Sequence, residues 1–206
     1  MMVEKFERTP QLSADSLRAH DILSWLGLSF NDLKGKKTLD VGAGNGGISA
    51  EAERHGIFVV AVDSQTWEDP RIKEGASYVV GNARQLPFES DTFDFVLAHA
   101  APPLTWTDNK ELVAATLTEY WRVLKPGGEI RFGSGTGTLP RNLFENLFKG
   151  VKQKLLPELV KHKRTQAATF DVFKSMYPDI KRHTPTHEVH GSPHQGYYYV
   201  LKKPLI

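Results

Sequence analysis

Asp40-Val41-Gly42-Ala43-Gly44-Asn45-Gly46-Gly47 stands between a short apolar run, Thr38 to Val41, and a helix-like stretch, Gly46 to His55. A strand that turns through glycines into a helix restricts what this chain can become more than any other feature. Glycine turns tightly and lets backbone approach a ligand. The start of the following helix offers unpaired N–H groups and a positive dipole end to an anion. Asp63 closes the next apolar run, Ile57 to Val62, and lies 21 residues past Gly42. An acidic side chain there accepts hydrogen bonds from both ribose hydroxyls of a nucleoside. Together these features predict a nucleoside-containing ligand at the C-terminal edge of a parallel sheet. Gly42, Gly44 and Gly47 also satisfy the dinucleotide pattern Gly-x-Gly-x-x-Gly. At this point a nicotinamide cofactor remains open.

The rest of the chain supplies the sheet. Tyr78 to Val80, Phe93 to Ala98 and Glu129 to Phe132 read as further strands. Ser13 to Leu28 and Lys110 to Leu124 read as amphipathic helices, the second stopped by Pro126-Gly127-Gly128. Asn31 to Lys37 reads as a polar hinge. Continuous apolar strands separated by helices indicate a parallel sheet covered on both faces. Asn142 to Lys163 and Gln166 to Tyr177 are expected to be helical. Thr186 to His190 and Tyr197 to Leu201 read as a terminal antiparallel hairpin. The predicted fold is α/β, a Rossmann-like doubly wound, mostly parallel seven-stranded sheet with an antiparallel C-terminal hairpin strand. With 206 residues, one domain is expected: a helical cap over 1–36, a cofactor-binding core over 37–134, and C-terminal helices with the hairpin over 135–206.

Four segments in order resemble the class I S-adenosylmethionine-dependent methyltransferases. Leu39 to Gly46 is similar to the family's first motif, and Val60 to Ser64 to its second strand. Gly81 to Phe88, followed by Asp91 to Val96, is similar to the approach into strand four. Trp121 to Gly128 is similar to the entry into strand five. Within the family the resemblance is strongest to the methyltransferases of ubiquinone and menaquinone biosynthesis. It implies S-adenosylmethionine as cofactor and a binding set of Asp40, Gly42, Ala43, Gly44, Gly46, Asp63, Ser64, Asn82, Ala83 and His99. Asp63 takes the ribose, Asp40 the ammonium group, and Asn82 with Ala83 the adenine. The family usually carries Asp where Asn82 stands; the amide oxygen still accepts a hydrogen bond but adds no charge. Trp67 is a candidate cover for the adenine.

The acceptor is expected to be a small, partly apolar molecule. Trp25, Leu26, Leu104, Trp106, Phe170, Phe173 and Tyr177 would line its pocket, since such pockets are mostly apolar with a few placed polar groups. His99 is the candidate catalytic residue, as a general base or as an orienting group. After it, Ala101-Pro102-Pro103-Leu104 keeps the two prolines of amino-group methyltransferases but lacks their hydrogen-bonding residue and stacking ring. Methylation of a nucleic-acid base therefore ranks low. Residues 1–139 carry 14 Lys+Arg against 19 Asp+Glu, and residues 140–206 carry 12 against 5. The basic run through Lys149, Lys152, Lys154, Lys161, Lys163 and Arg164 keeps an RNA methyltransferase as the alternative. A nicotinamide-dependent oxidoreductase or a non-catalytic cofactor-binding protein ranks lower. With no Cys, neither disulfides nor thiolate metal sites are available. His183, His187, His190 and His194 surround Pro185 and do not share a helix face, so no metal is expected. No apolar run is long enough to span a membrane, and a cytoplasmic location is expected.

Overall fold

The computed structural model describes residues 13–64, 76–101, 109–133, 181–183, 188–189, 192–193 and 198–205. Its helices are α1 (Ala14–Trp25), α2 (Phe30–Leu33), α3 (Gly47–Arg54) and α4 (Lys110–Val123). Its strands are β1 (Thr38–Val41), β2 (Val59–Asp63), β3 (Ser77–Val80), β4 (Phe93–His99), β5 (Leu124–Gly133), β6 (Lys181–His183), β7 (Glu188–Val189), β8 (Ser192–Pro193) and β9 (Tyr198–Lys202). The main sheet has the order β3-β2-β1-β4-β5-β9-β6. Pairs β1–β2, β1–β4, β2–β3 and β4–β5 are parallel, and β9 runs antiparallel to both β5 and β6.

Strand pleating explains why the apolar runs are continuous. Val60, Val62, Val96 and Ala98 point to one side, where Val113, Leu117, Tyr120 and Val123 of α4 cover them. Val59 and Leu97 point to the other, against Leu23 of α1, Phe30 and Leu33 of α2, and Ile48 and Ala52 of α3. Both faces of β1, β2 and β4 are thereby removed from water, as a parallel sheet requires.

Element ends differ from the expectations for local reasons. α1 stops at Trp25 because Gly27, at φ 68°, and Leu28 send their N–H groups back to the Ser24 and Leu23 carbonyls. α3 ends the same way: Gly56 bonds Glu53, and Ile57 bonds Ala52. This glycine cap occupies Ile57, so pairing with β1 starts at Val59 and Phe58 is left exposed. The expected polar hinge contains α2. Asp32 Oδ2 accepts from Ser29 N–H at 2.8 Å and from Ser29 Oγ at 2.7 Å, a reciprocal cap readable as Ser-x-x-Asp. The helix before strand five ends at Val123, and Pro126-Gly127-Gly128 forms an irregularity inside β5, with Gly127 at φ 79°.

The terminal antiparallel pair exists with a different partner. Tyr198, Tyr199 and Val200 pair with His183, Arg182 and Lys181. Residues 188–189 pair instead with 192–193 in a separate small hairpin. Strand β9 is therefore inserted between β5 and β6 in the sheet, and the mini-hairpin falls in the chain between β6 and β9. The helices expected over 142–163 and 166–177 lie outside the described residues. So do Trp67, Leu104, Trp106, Phe170, Phe173, Tyr177 and the basic run.

Candidate active site

Strand order reverses between β1 and β4, the place at the C-terminal sheet edge where sheets of this kind form a ligand crevice. The glycine turn leaves β1 at that point. Gly42, Gly44 and Gly46 have φ of 73°, 57° and 75°, the left-handed region that favours glycine. The turn is tied to β2: Gly42 and Ala43 donate to the Val62 carbonyl at 2.8 and 3.2 Å. Gly44 donates to Asp63 Oδ2 at 3.0 Å, and Tyr78 Oη donates to the Gly44 carbonyl at 2.9 Å. Tyr78, read from the sequence only as strand, thus holds the turn from β3.

The two central glycines have different reasons to be glycine. A Cβ on Gly42 would lie 2.5 Å from Ala101 Cβ, so the residue serves close packing between β1 and the end of β4. A Cβ on Gly44 would meet nothing within 4 Å and projects into open space. Ala101 is delivered by Ala100, which adopts φ 53° and donates to Gly133. A non-glycine residue there stores strain of order 1 kcal/mol beside the crevice.

Asp40 is 5% exposed, and no described residue donates a hydrogen bond to its carboxyl. Burial pushes its pKa up to about 7, and the nearby charge of Asp63 adds to the rise. Tyr78 is pushed up to about 12 by burial, then by Asp63 and Asp40. Tyr120 Oη on α4 is buried without a hydrogen-bond partner and feels the Asp40 charge. A buried carboxyl facing a crevice without a donor matches a ligand that brings its own cationic donor.

Asn82 and Ala83 follow β3. Asn82 Oδ1 accepts from Arg84 N–H at 2.9 Å, which turns the chain toward Gln85. That oxygen retains a second lone pair. Ser64, just past Asp63, is exposed. His99 ends β4, and α1 covers it: Trp25 meets the ring edge-on at 5.1 Å and 85°. Burial lowers its pKa to about 4, with help from Arg18. His99 is therefore neutral at pH 7.

Asp40 and His99 give opposite contributions to stability. Folded Asp40 holds a proton that an unfolded Asp releases between about 4 and 7, so its contribution falls as pH rises there. Folded His99 lacks a proton that an unfolded His binds between about 4 and 6.5, so its contribution grows with pH. Each slope is about 1.4 kcal/mol per pH unit, and the two offset one another in the wild type. Asp40→Asn removes one of them. Its stability relative to wild type, from urea unfolding, is expected to rise by about 2 kcal/mol between pH 5 and 6.5. A constant difference would return Asp40 to an ordinary carboxyl.

Residues 39–132 match the methyltransferase domain family. A demethylmenaquinone methyltransferase of Beutenbergia cavernae is 30% identical over 148 residues, which cover 70% of this chain and 59% of that protein. A malonyl-(acyl-carrier protein) O-methyltransferase of Enterobacter lignolyticus is 32% identical over 99 residues, 47% of this chain and 38% of that one. The fold is shared with a SAM-dependent methyltransferase of Archaeoglobus fulgidus at TM-score 0.56 and 17% identity, covering 93% of this chain and 95% of that chain. Sheet order is that of the methyltransferase fold, the matched segment 39–132 contains the glycine turn, and the chain spans less than two thirds of the length of the curated relatives it matches.

Proposed function

We propose that the chain transfers a methyl group from S-adenosylmethionine to a small, partly apolar acceptor. When bound, the cofactor supplies a methyl group on a sulfonium, open to in-line displacement by a nucleophile. The observation that carries the reading is the pairing of two carboxyls at one crevice: Asp63 at the end of β2, bonded to Gly44, and buried Asp40 with no donor of its own. Asp63 holds the ribose hydroxyls and Asp40 the ammonium group. Gly42, Ala43, Gly44 and Gly46 pass backbone along the amino-acid end, and Ser64, Asn82 and Ala83 border the nucleoside.

Support for an apolar acceptor comes from Trp25, 4% exposed and set against His99. The Beutenbergia relative named for demethylmenaquinone agrees with an acceptor of that kind. His99 acts by orienting groups rather than by taking a proton, because a base at about 4 has little proton affinity at pH 7. His99→Ala is expected to weaken cofactor binding and turnover together. Loss of kcat alone by roughly 10²–10⁴-fold would instead make His99 the base.

The deciding experiment follows labelled methyl from S-adenosylmethionine into a host extract, with the labelled component identified by mass. A small molecule is expected. Label in RNA that disappears on charge reversal of Lys152, Lys154 and Lys163 would replace this reading with the RNA alternative. NADH fluorescence is expected to stay unchanged on mixing.

A further inference from the structure

Away from the crevice, α1 packs on α3 and brings His20 to Glu51 and His55, which lie 31 and 35 residues further along the chain. Glu51 lies on α3 and His55 caps its C-terminal end, at i and i+4, and His20 faces them from α1. His55 Nε2 lies 3.3 Å from Glu51 Oε1, and His20 Nε2 lies 3.7 Å from the same oxygen. One ligand atom from each residue falls within 4.8 Å of the others.

We propose that His20, Glu51 and His55 form a binding site for a borderline divalent transition cation, Zn²⁺ or its like, that cross-links α1 to α3. Bond lengths of about 2.0–2.1 Å to zinc put tetrahedral ligands about 3.3–3.4 Å apart. The separation of His55 from Glu51 already has that value, and that of His20 from Glu51 exceeds it by a few tenths of an ångström. On binding, the His20 ring has to close that difference and the three ligand atoms, now within 4.8 Å of one another, have to draw together around the ion. Two imidazoles and one carboxylate are donors that suit zinc, and three protein ligands leave a fourth position for water.

The surroundings are those of a prepared site. Glu51 is only 4% exposed although it is a charged residue on a short helix. Its Oε1 accepts from Ser16 Oγ at 2.7 Å, which uses one lone pair and leaves another on the oxygen that both imidazoles approach. Its Oε2 accepts from Arg54 at 2.7 Å, fixing the carboxylate plane. Arg54 is 57% exposed, so its charge is largely in solvent. His20 Nε2 is buried without a hydrogen-bond partner, and 3.7 Å is too long for one to Glu51. Phe30 walls the site, with its ring 4.8 Å from His20 and 5.4 Å from His55. An orphaned imidazole nitrogen, a buried carboxylate and an apolar wall are together explained by a cation at their centre.

The test is titration of the metal-free full chain with Co²⁺, whose visible absorption reports tetrahedral nitrogen and oxygen ligation, and with Zn²⁺ by calorimetry. One ion per chain is expected, with a rise in Tm on Zn²⁺ binding. The double variant His20→Gln, His55→Gln is expected to lose the Co²⁺ spectrum and the Tm shift, while circular dichroism stays that of the wild type. The variant His183→Gln, His187→Gln, His190→Gln, His194→Gln is expected to keep both. Should the helix-packing variant unfold, zinc anomalous scattering from wild-type crystals locates the ion directly; a peak between α1 and α3 is expected. No binding to the wild type overturns the proposal. So does a signal that survives loss of His20 and His55, or an anomalous peak elsewhere.

Discussion

Gly44→Val is expected to give a folded protein with no measurable affinity for S-adenosylmethionine. Two observations separate these effects. The φ of 57° costs a β-branched residue roughly 1–2 kcal/mol, which a domain of ordinary stability survives. The added side chain meets no protein atom near its Cβ, so nothing in the fold has to move. It enters the crevice where backbone has to approach the cofactor. Gly42→Val has the opposite pattern. Its Cβ collides with Ala101, so its main result is loss of stability through the β1–β4 contact. Calorimetry for binding and thermal unfolding for stability distinguish the two. A folded Gly44→Val protein with wild-type affinity would remove the turn from the cofactor site.

Asp63→Ala is expected to weaken S-adenosylmethionine binding by about 10- to 150-fold. Hydrogen bonds to a charged group contribute roughly 1.5–3 kcal/mol, and each 1.4 kcal/mol is tenfold in affinity. The geometry adds a second consequence. Asp63 also accepts from Gly44, so the alanine variant loosens the turn. Asp63→Asn keeps an acceptor for Gly44 but replaces the other oxygen by a donor; it isolates the ligand contact and is expected to retain most of the loss. Asp63 also raises the pKa of Asp40, so removing its charge eases ionisation of Asp40. Wild-type affinity should therefore increase with pH through about 7, as Asp40 becomes the carboxylate an ammonium group needs. In Asp63→Ala that increase should occur at lower pH. Equal affinities in wild type and both variants would remove Asp63 from the site.

Much of the glycine-turn edge was legible because its signals are local. A glycine turn between an apolar run and a helix, with an acid closing the next run, is written within 24 residues, 40–63. The strand–turn–helix order predicted where those residues meet, and Asp63 does reach Gly44. Boundaries were less legible where glycine caps take residues that look like strand or helix. Ile57 is apolar and strand-prone, yet its N–H completes the cap of α3. The Ser29-Asp32 cap was readable, but four helical residues are too few to show a period.

Segments distant in sequence owe their relation to the sheet. Leu86-Pro87-Phe88 and Trp121-Arg122 appear in the sequence as two separate resemblances. In the fold, Glu119 Oε1 accepts from Leu86 N–H at 2.8 Å, and Arg122 donates to the Leu86 and Phe88 carbonyls at 3.1 and 2.9 Å. The helix before β5 thereby clamps the chain entering β4. Backbone polar groups in that irregular segment need partners, and the adjacent helix supplies several of them.

The sequence by itself determined the alternation of strands and helices, the glycine turn and the acid at the end of β2, because each depends on backbone preference and periodicity over a few residues. Only the tertiary structure decided that β9 pairs with β6, that Tyr78 holds the Gly44 carbonyl, and that Trp25 and Arg18 leave His99 neutral. It also decided that His20 meets Glu51 and His55. Those relations join residues tens of positions apart, and they follow from which faces the packed sheet and helices bury together, a property that no local pattern carries.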